Sequence, residues 1–412
     1  MSGMAVEKEN LGIVVQKYGG SSVANVEMLR RVARKIVDTR LKGYGVVVVI
    51  SAMGNQTDEL LNLARQVSSK PSSRELDMLL SVGERIAMAV LSMAINDLGH
   101  QAISFTGSQS GIITDDSHTR ARIVEVRAQR IIDELKKGKI VIVAGYQGVS
   151  RGREITTLGR GGSDTTAIAL AAALAAERCE IYSDVDGVHT ADPRLVEDAV
   201  KLDCLSYEEM EALSKAGAVV MKADAIEYAR RHRIIFSLMS SFREGRGTVV
   251  GADRSSGDWP VLGLSFDRSI LVLDGVAGSR AEEVRESVAP KLGELGFAPL
   301  SASWIGSSDG VDSSLFMVFR EDGIADPPAV PGIVEREYPW MKGRIRLCGS
   351  VTLITREAGP FGRICSQAIR LLRDEGFDLL GYNAVDRCCH FFLPSDDVVP
   401  AVRILHGKLF TG

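Results

Sequence analysis

Two observations predict an α/β protein with a doubly wound, mainly parallel sheet over residues 1–251 and two smaller α+β modules over 261–330 and 331–412. In the first part, short and uniformly apolar runs alternate with helical patterns, as strands covered on both faces of a parallel sheet do. Beyond Gly251 the stretch ADRSSGDWP reads as a linker, and a strand and helix pattern then recurs twice. The length agrees, since 412 residues exceed the roughly 100–200 of one ordinary domain.

Taken in order, Ile13 to Lys17 form a short strand that empties into Tyr18-Gly19-Gly20-Ser21-Ser22. Asn25 is placed to cap a helix with Val26, Leu29, Val32 and Ile36 on one face. Gly45–Ser51 (GVVVVIS) and Ile140–Gly145 (IVIVAG) have no polar face and belong inside a parallel sheet. An alanine-rich helix starts at Ser163, and Cys179–Ser183 is the next strand. In the second part, strand Ile270–Leu273, helix Arg280–Leu295 and the strand LFMVF at 315–319 are answered by Val351–Thr355, Phe361–Glu375 and CCHFFL at 388–393. The helices end alike, in LGELGF at 292–297 and LRDEGF at 372–377. Two copies of a ferredoxin-like β-α-β-β unit account for this, separated by the Pro-rich stretch Asp326–Pro331.

Composition excludes several classes. Lys plus Arg number 49 against 53 for Asp plus Glu, with no long basic run, so a nucleic-acid partner is not expected. The amino terminus MSGMAVEKENLG lacks a hydrophobic targeting core, and no run of about 20 apolar residues suggests a membrane span. A cytoplasmic protein is expected. The six cysteines contain no C-x-x-C pair, which argues against a zinc or redox motif, so reduced and mostly buried thiols are expected and no metal-ligating residues are assigned.

The chemistry concentrates between Gly145 and Arg194. There Gly159-Arg160-Gly161-Gly162-Ser163-Asp164-Thr165-Thr166 runs into the alanine-rich helix, so backbone amides, a guanidinium and hydroxyls meet the positive end of a helix dipole. Such a place holds anions. A carboxylate acceptor of phosphoryl needs no general base, because an Asp-like group with pKa about 3.9 is already ionised at neutral pH. What it needs is cations and amides aimed at the transferring group. Lys17, leaving a strand beside Gly19 and Gly20, is the best-placed cation. Taken singly, these residues have plainer readings: the Lys17 loop as a solvated turn, Glu84 as an exposed helix acid, Asp164 as a first-turn acid, and Lys222 as a surface lysine.

Together, the Lys17–Ser22 loop (KYGGSS), Ser51-Ala52-Met53 with Thr57-Asp58, Gly83-Glu84, Thr156–Asp164 (TTLGRGGSD) and Ser183–Arg194 (SDVDGVHTADPR) are similar to the amino-acid kinase superfamily, and within it to the aspartate kinases. The resemblance implies a three-layer αβα amino-acid kinase fold. It implies an enzyme that uses ATP and Mg2+ to phosphorylate L-aspartate to 4-phospho-L-aspartate, the first step toward lysine, threonine and methionine. By the family pattern Lys17, with Gly19 and Gly20, stabilises the moving phosphoryl, and Asp164 positions the lysine or metal. Ser51, Thr57, Glu84, Arg160, Gly161 and Ser163 seat the substrate. Ser21, Ser183, Asp184, His189, Asp192, Arg194 and Lys222 serve the nucleotide.

Three positions depart from the pattern: His189 replaces the usual tyrosine, Val219 a polar residue, and Asp224 an arginine. A kinase of glutamate or N-acetylglutamate, or a catalytically silent regulatory homologue, are the alternatives. The second part resembles the family's paired ACT domains, which implies an amino-acid effector and a homodimer or higher homo-oligomer. Its two candidate effector turns are altered, at Asp274–Gly278 and at Glu357–Gly362, and only the second is expected to cradle a ligand with backbone amides. Feedback by lysine or threonine is therefore expected to be weak, absent or redirected.

Overall fold

The computed structural model describes residues 12–159, 161–217, 221–251, 260–277, 280–306, 313–321, 327–356 and 361–410. The chain divides into two compact units, one holding residues 1–188, 201–214 and 219–257 and the other 189–200, 215–218 and 258–412. A single boundary after residue 251 is thus incomplete. Segment 189–200 joins the second unit because Ala191 and Val196 are buried in that unit's apolar core.

The first unit is a twisted sheet built on valine-rich strands. In chain order the strands and helices that carry the site are β1 (Ile13–Tyr18), α1 (Val26–Leu41), β2 (Gly45–Ile50), α2 (Gln56–Val67), α3 (Ser73–Leu80), α4 (Val82–Asp97), β3 (Ala102–Phe105), β4 (Ile112–Thr114), β5 (Ile123–Val126), α5 (Gln129–Lys136), β6 (Ile140–Ala144), β7 (Gln147–Ser150), β8 (Ile155–Thr157), α6 (Gly162–Ala173) and β9 (Arg178–Ser183). Eight strands lie in the order Cys204–Leu205, Thr248–Val250, Phe236–Ser240, β9, β1, β2, β6, β3. All neighbours are parallel except Phe236–Ser240 against Thr248–Val250. Every residue of β2 and β6 is buried, as strands sandwiched between helices must be. Leu29, Val32 and Ile36 of α1 and Ala87, Leu91 and Ile95 of α4 cover one face, meeting Val46, Val48, Ile140 and Ile142. The other face receives α6, whose small residues let it lie close on β1, β2 and β9.

Asn25 does cap α1, its side chain accepting from the Met28 amide at 3.0 Å. Val26 is exposed instead of joining the buried stripe, because it precedes the first inward-facing turn. The run Ser73–Asp97 is long and apolar enough to cross a membrane, contrary to the expectation that none is. Its inward residues Ala87, Leu91 and Ile95 are fully buried in the sheet core, which accounts for the hydropathy. A small second sheet, β5-β4-β7-β8, was not foreseen. Its strands are three or four residues long, too short for the alternation to register.

In the second unit, six strands form one sheet in the order Phe297–Gly306, Ser313–Glu321, Val261–Ala277, Ile345–Thr355, Cys388–Leu393, Gly381–Val385. The two expected modules are present as two cores, and the long strand Val261–Ala277 serves both. Val261 and Leu264 pack with Val351, Ile364, Leu372 and Leu405, whereas Leu271 and Leu273 pack with Val288, Phe319 and Val334. A register shift between Asp267 and Ile270 separates the halves. The Pro-rich stretch is not merely a spacer, since Pro331 opens a helix at Val330–Glu337, where a missing amide proton costs nothing. The expected turns at 278 and 357–360 lie outside the described residues. Cys365 and Cys389 form a disulfide, contrary to the expectation of six reduced thiols. Both sit in the same buried core, brought together by helix-on-sheet packing across 24 residues that no local motif reveals.

Truncating Ile142, fully buried at the centre of β6, to alanine should cost about 2–5 kcal/mol. Val26→Ala, at an exposed position, should stay within about 0.5 kcal/mol. Urea unfolding of the two variants checks both.

Candidate active site

β9, β1, β2 and β6 lie side by side and run the same way. Ser183, Tyr18, Ile50 and Ala144 therefore end along one edge, the edge at which open α/β sheets hold ligands. The loops that follow pack unusually close. The Gly54 amide donates to the Gly20 carbonyl at 3.1 Å, and a Cβ on Gly20 would sit 2.8 Å from the Ala52 carbonyl oxygen. A Cβ on Gly83 would stand 2.7 Å from that of Ala52, and one on Gly145 would stand 2.6 Å from Ser163 Oγ. Only glycine allows these approaches.

The loops enclose a cavity of about 400 Å³. Lys17, Gly19 and Gly20 line it from the β1 loop, Ser51 and Thr57 from the β2 loop and α2, and Glu84 from α4. Gly161, Ser163 and Asp164 line it from the start of α6. Nine of the residues singled out from the sequence thus meet in one place.

Strand alternation explains the cation. Tyr18 packs toward α1, so Lys17 between it and Gln16 points to the opposite face, where α6 lies. Its Nζ stands 2.6 Å from Asp164 Oδ1, with the two side chains 11% and 9% exposed. The contact is an ion pair and not a directional hydrogen bond, so it keeps the ammonium in place by charge.

Glu84 supplies the opposite charge. It is 3% exposed, and its Oε1 accepts from the Ala52 amide at 3.2 Å. Oε2 is buried without a hydrogen-bond partner. Burial pushes its carboxyl up to about 7, although its backbone hydrogen bonds pull the other way. A buried oxygen of this kind facing a cavity is matched to a ligand that brings a cationic donor.

Gly161 takes the left-handed conformation, φ 76°, and no side chain caps α6; the Gly162 and Asp164 amides donate to the Gly159 and Gly161 carbonyls at 3.0 and 3.1 Å, so what α6 offers the cavity is the positive end of its dipole. A Cβ on Gly161 would lie 2.2 Å from Lys222 Cγ, which places the aliphatic stem of Lys222 across this loop. Arg160 and Val219 lie outside the described residues. Asp224 occupies the first turn of the helix Ala223–His232.

Among the nucleotide residues, Ser21 is exposed on the 3-10 turn Gly20–Val23. Ser183 Oγ accepts from the Val185 amide at 3.3 Å, and Asp184 is exposed. His189, Asp192 and Arg194 belong to the second unit. There Arg194 Nη2 approaches Asp192 Oδ2 at 2.7 Å, and this guanidinium holds the Asp192 carboxyl below its ordinary range. The cavity also uses Tyr146, Leu61 and Leu80, which no motif singled out, and Asp58, named only as Thr57's motif neighbour. Tyr146 had a usable signal, since it lies two residues past the buried strand β6 at its ligand-binding end. Its φ of 67° is rare for a side chain of that size.

A family model described as the amino acid kinase family matches residues 12–236. The aspartokinase of Corynebacterium glutamicum is 47% identical over 412 residues, covering 98% of this chain and 97% of that protein. The chain belongs to the aspartokinase branch of the amino acid kinase family. A second aspartokinase, from Mycolicibacterium smegmatis, is 54% identical over 284 residues, covering 67% of this chain and 68% of that protein. The fold matches Escherichia coli aspartokinase III solved with aspartate and ADP, with a TM-score of 0.75 at 23% identity over 97% of this chain and 100% of that one. The aspartokinase motifs read from the sequence are therefore set in the matching fold, including the strand that carries Lys17 and the helices that carry Glu84 and Asp164.

Gly161→Ala should lower turnover by about a hundredfold, since displacement of reacting groups by around 1 Å costs that much. The melting temperature should shift by only a few degrees. Steady-state kinetics beside thermal unfolding measures both.

Proposed function

We propose that the chain transfers the γ-phosphoryl group of ATP to the β-carboxylate of L-aspartate, giving 4-phospho-L-aspartate. The observation that carries this reading is the orphaned Glu84 oxygen in the same cavity as the 2.6 Å Lys17–Asp164 pair. One end of the cavity suits an α-ammonium group and the other a transferring phosphoryl. Glu84 takes the substrate ammonium; Ser51, Thr57, Ser163 and the Arg160 fork hold its carboxylates. The β-carboxylate attacks in its ionised form and needs no base. Lys17, kept in place by Asp164, neutralises charge that builds on the phosphoryl oxygens, and the positive end of the α6 dipole adds to it. Ser21, Ser183, Asp184, His189, Asp192, Arg194 and Lys222 serve the nucleotide by the family pattern.

Among the described residues no group of three or more His, Cys, Asp or Glu side chains is gathered for a metal. Asp164 is a cavity carboxylate that would face a magnesium taking most of its oxygens from phosphate and water. Magnesium, when bound, supplies charge screening on the phosphates. We assign the second unit as a pair of ACT-type modules that join subunits of a cytoplasmic homo-oligomer. Escherichia coli aspartokinase III has been solved with lysine and aspartate; the altered turns here favour weak or redirected feedback, so lysine and threonine at millimolar levels should inhibit little.

A hydroxamate assay with ATP, Mg2+ and a panel of acidic amino acids tests the activity. Turnover with aspartate and not glutamate is expected, with Lys17→Ala and Asp164→Ala each lowering kcat by about 10²–10³. No turnover with aspartate would end this reading; unchanged rates in both variants would remove the site assignment.

The Glu84 carboxyl gives a pH signature. It is held up near 7 against an ordinary 4.5, so its burial stabilises the free protein relative to an exposed carboxyl only at low pH. That contribution fades as pH rises from 4.5 to 7. Substrate ammonium needs the ionised form. KM for aspartate should therefore fall as pH rises through about 7 and then level, while Glu84→Gln should raise KM and flatten the profile.

A further inference from the structure

A buried carboxylate stands outside the cavity and is used by none of the steps above. Asp77, on α3, is completely buried. Its carboxylate oxygens accept from the Thr157 hydroxyl at 2.5 Å, from His118 Nδ1 at 2.6 Å and from the Thr119 amide at 3.0 Å. One side chain thereby ties together three stretches far apart in sequence: α3, the turn at 117–120, and β8. A lone buried carboxylate is costly, and three donors converging on it are what make the position tolerable.

What these three stretches share is the substrate loop. Thr157 is the last residue of β8, and the chain continues directly through Leu158, Gly159 and Arg160 to Gly161 at the mouth of α6. The turn held by Asp77 supports the same segment twice. The Ala121 amide donates to the Thr157 carbonyl at 2.9 Å, and a Cβ on Gly159 would stand 3.2 Å from the Thr119 carbonyl oxygen. Thr119 itself has φ 67°, a conformation its branched side chain resists, and the bond from its amide to Asp77 holds it there. Asp77 also lies seven residues before Glu84, with Leu80 of the cavity wall between them. The helical run that carries the ammonium-binding carboxylate thus also fixes the loop that carries the carboxylate-binding guanidinium.

We propose that Asp77 is a positioning residue for the acidic substrate, setting the place of the 158–161 loop relative to Glu84 through Thr157 and the His118–Thr119 turn. The inference rests on the aspartate kinase reading. It assigns Asp77 no contact with substrate and no part in nucleotide binding, so its effect belongs in KM for aspartate.

The test uses the full chain and the variants Asp77→Asn, Thr157→Val and Thr157→Ser. Asparagine keeps the shape but exchanges an acceptor for a donor, so KM for aspartate should rise about tenfold, as loss of a hydrogen bond to a buried charge implies. KM for ATP should change little, and the melting temperature should fall by several degrees with the protein still folded at the assay temperature. Thr157→Val should reproduce the rise, and Thr157→Ser, which keeps the hydroxyl, should restore KM to within about twofold of wild type. An unmoved KM for aspartate in Asp77→Asn overturns the proposal, as does a joint rise in both KM values that follows a lost melting temperature. If Asp77→Asn does not fold, the Thr157 pair decides, and equal KM in Val and Ser variants overturns it. Wild-type turnover with aspartate, measured alongside, separates these failures from failure of the activity itself, which would show as no wild-type product.

Discussion

The contact on which the site depends is the 2.6 Å pairing of Lys17 with Asp164. It joins the first strand of the sheet to the first turn of a helix almost 150 residues later. Two charges so nearly buried do not add much stability for their own sake, since the loss of hydration offsets most of their attraction. Their use lies in register. For Lys17 to meet Asp164, β1 must present residue 17 toward α6, α6 must start at Gly162, and Gly145 must lack a side chain so that Ser163 can pass. The glycines, the alanine-rich helix and the fully buried strands all answer to that one alignment.

The same alignment explains which parts of the molecule could be read from the chain. β2 and β6 were legible because a parallel strand buried on both faces must be apolar throughout, and few other structures demand this. The residues that line the cavity were legible because close loops demand glycine and an anion demands cations, so the motifs at Lys17 and Gly159 carry their own physical signature. Asp77 carried none. A buried acid on a helix looks like an exposed acid on a helix until the partners at 118, 119 and 157 are known, and nothing local ties those positions together. The small sheet was hidden by brevity, and the Cys365–Cys389 bond by distance along the chain.

Segment 189–200 was misplaced for another reason. Its sequence continues a nucleotide motif, so it reads as part of the first unit. Yet Ala191 and Val196 are buried with the second unit's core, the Thr190 hydroxyl pairs with His406 at 2.9 Å, and Arg403 Nε donates to the Leu195 carbonyl at 2.8 Å. Burial of apolar side chains decided its allegiance, and a motif describes chemistry, not packing. The stretch Ser183–Arg194 is thus continuous in sequence while its residues fall in two compact units.

The long strand Val261–Ala277 has a further meaning. Because its first residues complete one core and its later residues the other, neither module is a self-contained cassette. A cut anywhere between them strips a central strand from one partner and exposes a row of unpaired backbone groups. Recombination could therefore exchange the pair only as a whole.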